Sequence, residues 1–364
     1  MLLAASIVPG SSRGLVLLLT GPGTRQFHAC TLDKGAILAV TGAGVFRSRD
    51  DGSSWLPARL GQRGPDPERD VWSVVPDLNR PGLLYGITFL GGLLRSTDDA
   101  RTWTAVEVRD GAGRQYGSLT AVAVHPRASS MLLVGTGRGI LRSVDAGVTW
   151  AQVERTSRIM VDGLAFDHAH PGRVVAGTDG TLLLSDDDGA TWPASLKPLL
   201  PGERPAWVGN VWFDGQSDQL HAQASGIPIL SRDGGSTWRR VDGTCGTFGA
   251  APDGRTMLTS CVRPMYQSFT KRSTDAGATW EEIRAITPSH ARGTAVYWFH
   301  PARPSLVLAG HAAGGISRSE DGGRTWADAS VGVRWCDILP PDNWRFQLHT
   351  ELLDHCDSPG PGPR

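Results

Sequence analysis

Short stretches of alternating apolar and polar residues, separated by turns, recur along most of the chain, which is typical of a β-sheet protein. In the segment 119–154, Leu119, Ala121 and Ala123 lie two residues apart and predict a β-strand, here named strand A. The stretches MLLVGT, ILRS and TWAQVE follow after turns that contain proline or glycine, and they predict strands B, C and D. No apolar stretch reaches the roughly 18 residues that a membrane-spanning helix needs, so no membrane span is predicted.

The same unit recurs along the chain, and each copy carries an eight-residue motif close to Ser-x-Asp-x-Gly-x-Thr-Trp. Seven copies begin at Ser48, Ser96, Ser143, Ser185, Ser231, Ser273 and Ser319. They start 48, 47, 42, 46, 42 and 46 residues apart. A period of about 45 residues is typical of one propeller blade. We therefore predict an all-β chain that forms a seven-bladed β-propeller with four-stranded antiparallel blades over residues 24–334.

The motif falls in the turn between strands C and D, where it suits a structural role. Its aspartate can accept hydrogen bonds from backbone amides, its glycine allows a positive φ, and its tryptophan can pack between sheets. A catalytic site is needed once, whereas this motif occurs seven times. The second copy has Ala100 in place of glycine, which predicts a strained or differently shaped turn. The structural aspartates are Asp50, Asp98, Asp145, Asp187, Asp233, Asp275 and Asp321.

These copies resemble the BNR or Asp-box repeat proteins over residues 24–334. The resemblance implies a β-propeller with Asp-box turns, as in sialidases, the Vps10 domain of sortilin-like receptors, two-domain xyloglucan hydrolases and photosystem II assembly factors of the Ycf48 type. It does not choose among their functions, because one fold supports many sites. The Arg-Ile-Pro motif of sialidases is absent from the sequence, so the chain is not a typical sialidase.

The charges balance, with 36 basic and 36 acidic residues, and therefore give no overall field that would attract nucleic acid. Only Lys34, Lys197 and Lys271 are lysines, so arginine carries nearly all the positive charge. Arginine suits bidentate recognition of carboxylate or phosphate groups. A GC-rich genome would produce the same bias without any ligand.

A ligand site is expected where the D–A and B–C loops meet at the mouth of the propeller, on the rim opposite the Asp boxes. Arginines, with aromatic residues beside some of them, recur in these loops and suit an acidic sugar, a phosphorylated ligand or an acidic protein segment. The predicted ligand-binding residues are Arg69, Arg114, Arg138, Arg158, Arg204, Trp207, Arg263, Tyr266 and Arg292.

Four residues are candidates for catalysis on the same rim. Pairing Asp167 with Val174 across the turn would set Asp162 opposite Asp179. Opposed carboxylates hold their protons unequally, which distinguishes an acid from a base in glycoside hydrolysis. Neutralisation of the pair by nearby arginines is the structural alternative. The other two candidates are His311 and Tyr116. No metal-ligand spacing is present, and we predict no metal and no cofactor.

The cysteines predict two disulfides and leave Cys30 unpaired. The cross-strand register predicted for 245–261 sets Cys245 opposite Cys261, and Cys336 and Cys356 can pair in the tail. Such bridges would indicate a secreted or periplasmic protein, and their absence a cytoplasmic one.

Both ends of the chain lie outside the predicted propeller. Residues 1–23 are either an extra strand or a weak secretion signal. The tail 335–364 should pack on the ring, with its last residues disordered.

Two functions from different classes fit the sequence. The first is a monomeric binding or assembly module, whose arginine-rich rim holds a protein segment or an acidic ligand. The alternative is a glycan-active hydrolase or lyase with its site at the axial mouth. An enzyme needs acid and base groups that converge in a cleft, while a binding module can spread its contacts over a face.

Overall fold

The protein is described from a computed structural model. The structure describes residues 16–19, 27–31, 36–41, 44–58, 71–88, 91–116, 118–196, 208–213, 219–224, 227–244, 247–263, 267–283, 295–311 and 315–332. These residues form seven antiparallel sheets, one of five strands and six of four strands. The fold is therefore all-β, as predicted. No helix among these residues is long and apolar enough to cross a bilayer.

Sheets 1 to 4 follow one another along the chain. Sheet 1 contains β1 (Val16–Leu19), β2 (Phe27–Thr31), β3 (Ile37–Thr41), β4 (Gly44–Ser48) and β5 (Leu56–Pro57). Sheet 2 contains β6 (Val71–Pro76), β7 (Leu84–Thr88), β8 (Leu93–Ser96) and β9 (Thr104–Val106). Sheet 3 contains β10 (Leu119–Val124), β11 (Leu132–Thr136), β12 (Gly139–Ser143) and β13 (Ala151–Gln152). Sheet 4 contains β14 (Val161–Phe166), β15 (Val174–Thr178), β16 (Leu182–Ser185) and β17 (Ala194–Leu196).

Sheets 5 to 7 continue the same pattern. Sheet 5 contains β18 (Val208–Phe213), β19 (Leu220–Ala224), β20 (Ile227–Ser231) and β21 (Arg239–Arg240). Sheet 6 contains β22 (Phe248–Ala250), β23 (Met257–Arg263), β24 (Gln267–Ser273) and β25 (Glu281–Ile283). Sheet 7 contains β26 (Ala295–His300), β27 (Arg303–His311), β28 (Ile316–Ser319) and β29 (Ala327–Asp328).

Each sheet is a meander in which every strand pairs with the next one along the chain. The strand A positions of neighbouring sheets contact each other, as β10 contacts β14 and β14 contacts β18. Every residue of β10 and β14 is buried, because both faces of these strands are covered by adjacent sheets. In sheet 1 the N-terminal run adds β1, which pairs with β2 and contacts β6 and β26.

The Asp boxes form the turns predicted from the sequence, as the box of sheet 3 shows. Asp145 accepts hydrogen bonds from the hydroxyl and the amide of Thr149, at 2.5 and 2.9 Å, and from the hydroxyl of Ser143 at 2.8 Å. The hydroxyl bond from Thr149, followed by its amide, lowers the pKa of Asp145 to about 2. The Ser143 oxygen accepts the amide of Gly147 at 2.9 Å, and the indole of Trp150 donates to the Gly147 carbonyl at 3.2 Å. The motif therefore fixes its own turn.

Ala100 adopts the conformation that glycine adopts in the other boxes. Its φ is 65°, and its amide donates to the Ser96 hydroxyl at 2.9 Å, as the box glycines do. The turn keeps its shape, so the prediction of a differently shaped turn is wrong. The left-handed conformation costs an L-residue about 1–2 kcal/mol, so the second box carries the predicted strain.

The boxes and the loops between sheets lie on opposite rims. On one, here named the box rim, the Ala146 amide in a box donates to the carbonyl of Ser130 in the A–B turn, at 2.7 Å. On the other, named the loop rim, the Arg158 amide in a D–A loop donates to the Arg138 carbonyl in a B–C turn, at 3.3 Å. The predicted division of the loops between two rims is confirmed in sheet 3.

Arginines on strand C join each of several sheets to the next box. Arg142 donates from Nε to the Asp188 carbonyl at 3.1 Å, and Arg272 donates in the same way to Gly322 at 2.9 Å. Sequence reasoning missed this role, although an arginine directly precedes the box serine in five of the seven copies. The arginines that make such a contact, named the clamp arginines, are Arg47, Arg142, Arg272 and Arg318.

Sheet 7 contacts sheet 1 through several hydrogen bonds and an ion pair. Arg318 donates to the Asp51 carbonyl at 2.8 Å, and Arg303 forms an ion pair with the Asp51 side chain. The Trp55 indole donates to the Ala329 carbonyl at 2.9 Å. The Trp55 amide also donates to the Val331 carbonyl at 2.9 Å, so individual contacts, and not a shared sheet, join the two sheets.

Candidate functional site on the loop rim

Part of the predicted site lies outside the described residues. For Arg263 the backbone is described, where it pairs with Gln267 in β23 and β24, but the side chain is not. The tail 335–364 is also outside. The predicted site and disulfide residues outside the described part are Arg69, Arg204, Trp207, Tyr266, Arg292, Cys245, Cys336 and Cys356.

The predicted opposition of Asp162 and Asp179 is wrong. Val174 pairs with Phe166, not with Asp167, and a β-bulge between Val161 and Gly163 takes up Asp162. Val161 pairs with Thr178, so Asp179 lies one residue beyond that pair, toward the rim. Asp162 is 1% exposed, whereas Asp179 is exposed. The two aspartates are therefore not cross-strand neighbours.

Bulges at the start of strand A are a feature that the sequence did not reveal. The register shifts between Val71 and Ser73 in sheet 2, between Leu119 and Ala121 in sheet 3, and at Asp162 in sheet 4. A bulge adds a residue to one strand and turns its side chain, which often occurs beside functional sites. An inserted residue leaves the apolar pattern on either side intact, so it gives little signal in the sequence.

His311 is buried inside sheet 7 and does not line an open mouth. It pairs with Ala295, one residue from the predicted position beside Thr294. Its Nε2 lies 2.8 Å from the Ser317 hydroxyl, and the side chain is 6% exposed. These contacts indicate a structural role for this histidine.

Tyr116 joins two loops of the rim. Its hydroxyl lies 2.6 Å from Gln152 Oε1 and 3.1 Å from the Asp110 carboxylate, and its ring is buried. The Arg114 amide donates to the same carboxylate at 2.9 Å, and this bond is the main cause of the lowered pKa of Asp110. Gln152 in turn donates to the Arg138 carbonyl at 3.0 Å. Tyr116 thus holds the loops of sheets 2 and 3 together and is not exposed as a catalytic group.

The B–C turn that carries Arg138 contacts the loop that carries Arg158, since the Arg158 amide donates to the Arg138 carbonyl at 3.3 Å. Arg138 lies in the B–C turn of sheet 3 and Arg158 in the loop that leads to sheet 4, and both side chains are exposed. The Thr156 hydroxyl connects the two segments, since it donates to the Val153 carbonyl at 2.8 Å and accepts the Ile140 amide at 3.0 Å. No sequence pattern indicated the role of this buried threonine.

Cys261 is disulfide-bonded. Its predicted partner Cys245 lies outside the described residues, and the predicted register is one residue off, because Phe248 pairs with Thr259 and not with Leu258. Within the described ranges, no group of three or more His, Cys, Asp or Glu side chains is arranged to hold a metal ion.

A groove of about 860 Å³ runs beside strand D of sheet 3 and reaches the box of sheet 4. Polar side chains from both sheets line it, including Gln152, Arg155 and Thr191. Gln152 also belongs to the loop-rim contacts of Tyr116. One end of the groove therefore lies next to the loop-rim contacts of Tyr116.

Comparisons with known proteins place the chain among β-propellers. No family model matches the sequence. A xyloglucanase of Acetivibrio thermocellus, Xgh74A, is 28% identical over 250 residues, which is 53% of this chain and 29% of that protein. The GH74 xyloglucanase of Xanthomonas campestris superposes with a TM-score of 0.63 at 17% identity, over 91% of this chain and 56% of that one. The structure of YCF48 bound to D1 peptide has a TM-score of 0.50 at 17% identity, over 68% of this chain and 77% of that one.

These findings bear on both predicted functions. The curated relatives that match by sequence are xyloglucanases, which supports the glycan-active alternative over the binding module. This chain spans less than a third of the length of those relatives.

Proposed function

We propose that this chain is a glycan-active hydrolase built on a seven-bladed β-propeller, which holds a polysaccharide across the loop rim. The observation that carries the proposal is the 28% identity to a xyloglucanase over 250 residues. The contacts between sheet 7 and sheet 1 support the blade count, since they close the seven described sheets into one ring.

Asp179 is the residue that we assign to the chemistry. Glycoside hydrolysis uses carboxyl groups that flank the scissile bond, and Asp179 is an exposed carboxylate in a B–C turn of the loop rim. Arg138 and Arg158 belong to the adjoining sheet 3 and the loop that leads to sheet 4. Asp162 is buried behind this turn, and we assign it a positioning role for the bulged strand.

The test is the release of reducing ends from xyloglucan and other β-glucans by the full chain. We expect turnover by the wild type, and a loss of about 100-fold or more in kcat for Asp179→Asn, since acid–base groups contribute at least that much. Asp186→Asn is the matched control, because Asp186 is an exposed aspartate of the same sheet on the box rim. No reducing ends from any glycan tested, or equal loss in both variants, would contradict the proposal.

A protein segment is the second candidate ligand. The exposed arginines of the loop rim favour it, since guanidinium groups suit acidic side chains. Titration with acidic peptides separates the two functions: a protein-binding module would bind them and leave glycans intact.

A further inference from the structure

The loop 154–160 between sheets 3 and 4 contains a backbone hydrogen bond of its own and contacts the B–C turn of sheet 3. Thr156 is fully buried, and its carbonyl accepts the Ile159 amide at 3.1 Å. A Cβ on Gly139 would lie 2.5 Å from the Thr156 carbonyl oxygen, so the B–C turn and the loop are in close backbone contact. The two segments therefore lie directly against each other and form one continuous surface.

Two arginines of this loop have a backbone conformation that is costly for any residue with a side chain. Arg155 has a φ of 64° and Arg158 a φ of 72°. Six of the nine described non-glycine residues with a positive φ lie in Asp boxes, whereas Arg155 and Arg158 lie on the loop rim. Strained residues of this kind also occur at ligand-binding sites, where the surrounding structure holds them in place. Both side chains are exposed.

Arg138 completes a set of three exposed arginines, named the arginine platform: Arg138, Arg155 and Arg158. Within the described part of the chain, none of the three forms an ion pair with an acidic side chain. The clamp arginine Arg142, in contrast, is partly buried and donates to a backbone carbonyl. The platform therefore keeps its hydrogen-bond donors available for a ligand.

We propose that the arginine platform binds carboxylate groups of an acidic, uronate-containing glycan. This inference rests on the proposed function and names its substrate class. A guanidinium presents paired donors that match a carboxylate, and three on one continuous surface can engage successive charged sugars. Of the three arginines, Arg155 also lines the groove, together with the side chains of Gln152 and Glu154.

The experiment is affinity electrophoresis of the full chain in gels that contain polygalacturonate, with xyloglucan gels run in parallel. The triple variant Arg138→Gln, Arg155→Gln, Arg158→Gln should bind polygalacturonate about 100-fold or more weakly, since each charged hydrogen bond contributes roughly a factor of ten. Arg127→Gln, which removes an exposed arginine from the A–B turn of the same sheet, should bind like the wild type. A thermal melt verifies that the triple variant is folded.

A second variant separates carboxylate recognition from attraction of charge alone. Replacing the three arginines with lysine keeps the charge and removes the planar pair of donors, so binding should fall nearly as far. Full binding by the lysine variant, or equal weakening by Arg127→Gln, would overturn the inference. Failure to hydrolyse any glycan would overturn the proposed function instead, since the gels measure binding without turnover.

Discussion

The two rims of the ring differ in how they use the same residue types. On the box rim, each turn repeats one set of hydrogen bonds, and the clamp arginine Arg142 donates to the neighbouring box. On the loop rim, the strands start with bulges, and Arg138 and Arg158 are exposed without an acidic partner in the described part of the chain. Repeated contacts hold the ring together on one side, which leaves the other side free to vary.

Acid should affect the box rim most strongly, because its aspartates titrate together. Hydrogen bonds from the following threonine lower the pKa of Asp145, Asp233 and Asp275 to about 2, against an ordinary value of 3.8. Their contribution to stability is complete above pH 3.8 and is lost as the pH falls toward 2. Thermal melts between pH 5 and pH 2 should show a steep loss, and Asp145→Asn should show a shallower one. A flat profile for the wild type would contradict this.

Removal of a clamp arginine should destabilise the ring, whereas removal of a platform arginine should not. Arg142→Gln leaves the Asp188 carbonyl without its charged donor, and we expect a loss of about 1.5–3 kcal/mol in the free energy of unfolding. Arg138→Gln should change it by less than about 0.5 kcal/mol, because the side chain is exposed. Urea unfolding of both variants measures the difference, and equal losses would show that the rims do not differ.

A serine on each rim gives a matched pair. Ser143 is buried and its oxygen accepts the Gly147 amide, so Ser143→Ala should cost about 1–3 kcal/mol by leaving that amide unsatisfied. Ser157 is exposed on the loop rim, and Ser157→Ala should be close to neutral. Urea unfolding measures the free energy of unfolding of both variants. If Ser143→Ala leaves that free energy unchanged, the result would contradict the structural role of the box.

The smallest expected effect comes from the alanine in the second box. Ala100→Gly should raise stability by up to about 1 kcal/mol, because glycine adopts the left-handed conformation without steric cost. Gly147→Ala in the third box is the reverse change and should lower stability by about 1–2 kcal/mol. If both variants melt like the wild type, the positive φ carries no strain.

The box rim could be predicted from the sequence because its pattern is repeated seven times. The seven copies carry the same pattern, so each one strengthens the prediction made from the others. The aspartate, glycine and tryptophan of the motif directly predict the turn between strands C and D. The clamp role of Arg142 was also readable, since an arginine precedes the box serine in five copies. Sequence reasoning considered only the arginines of the loops and therefore missed this signal.

The loop rim could be predicted only in part. The sequence correctly brought Arg138 and Arg158 to one rim, because loop positions follow from the order of the strands. It set Asp162 opposite Asp179 because counting from a turn assumes a regular ladder, which the bulge at Asp162 breaks. The left-handed backbone of Arg158 has no counterpart in any local sequence pattern.

The central claim, that the loop rim holds a glycan, is tested most directly by hydrogen–deuterium exchange with and without an oligosaccharide of the glycan that the chain binds in the gels, polygalacturonate or xyloglucan. The account predicts slower exchange of amides in 154–160 and in the turn at 178–182, with the Asp-box turns unchanged. Slower exchange confined to the box turns would contradict the claim that the loop rim holds the glycan. The same conclusion would follow if the glycan is bound and no amide exchanges more slowly.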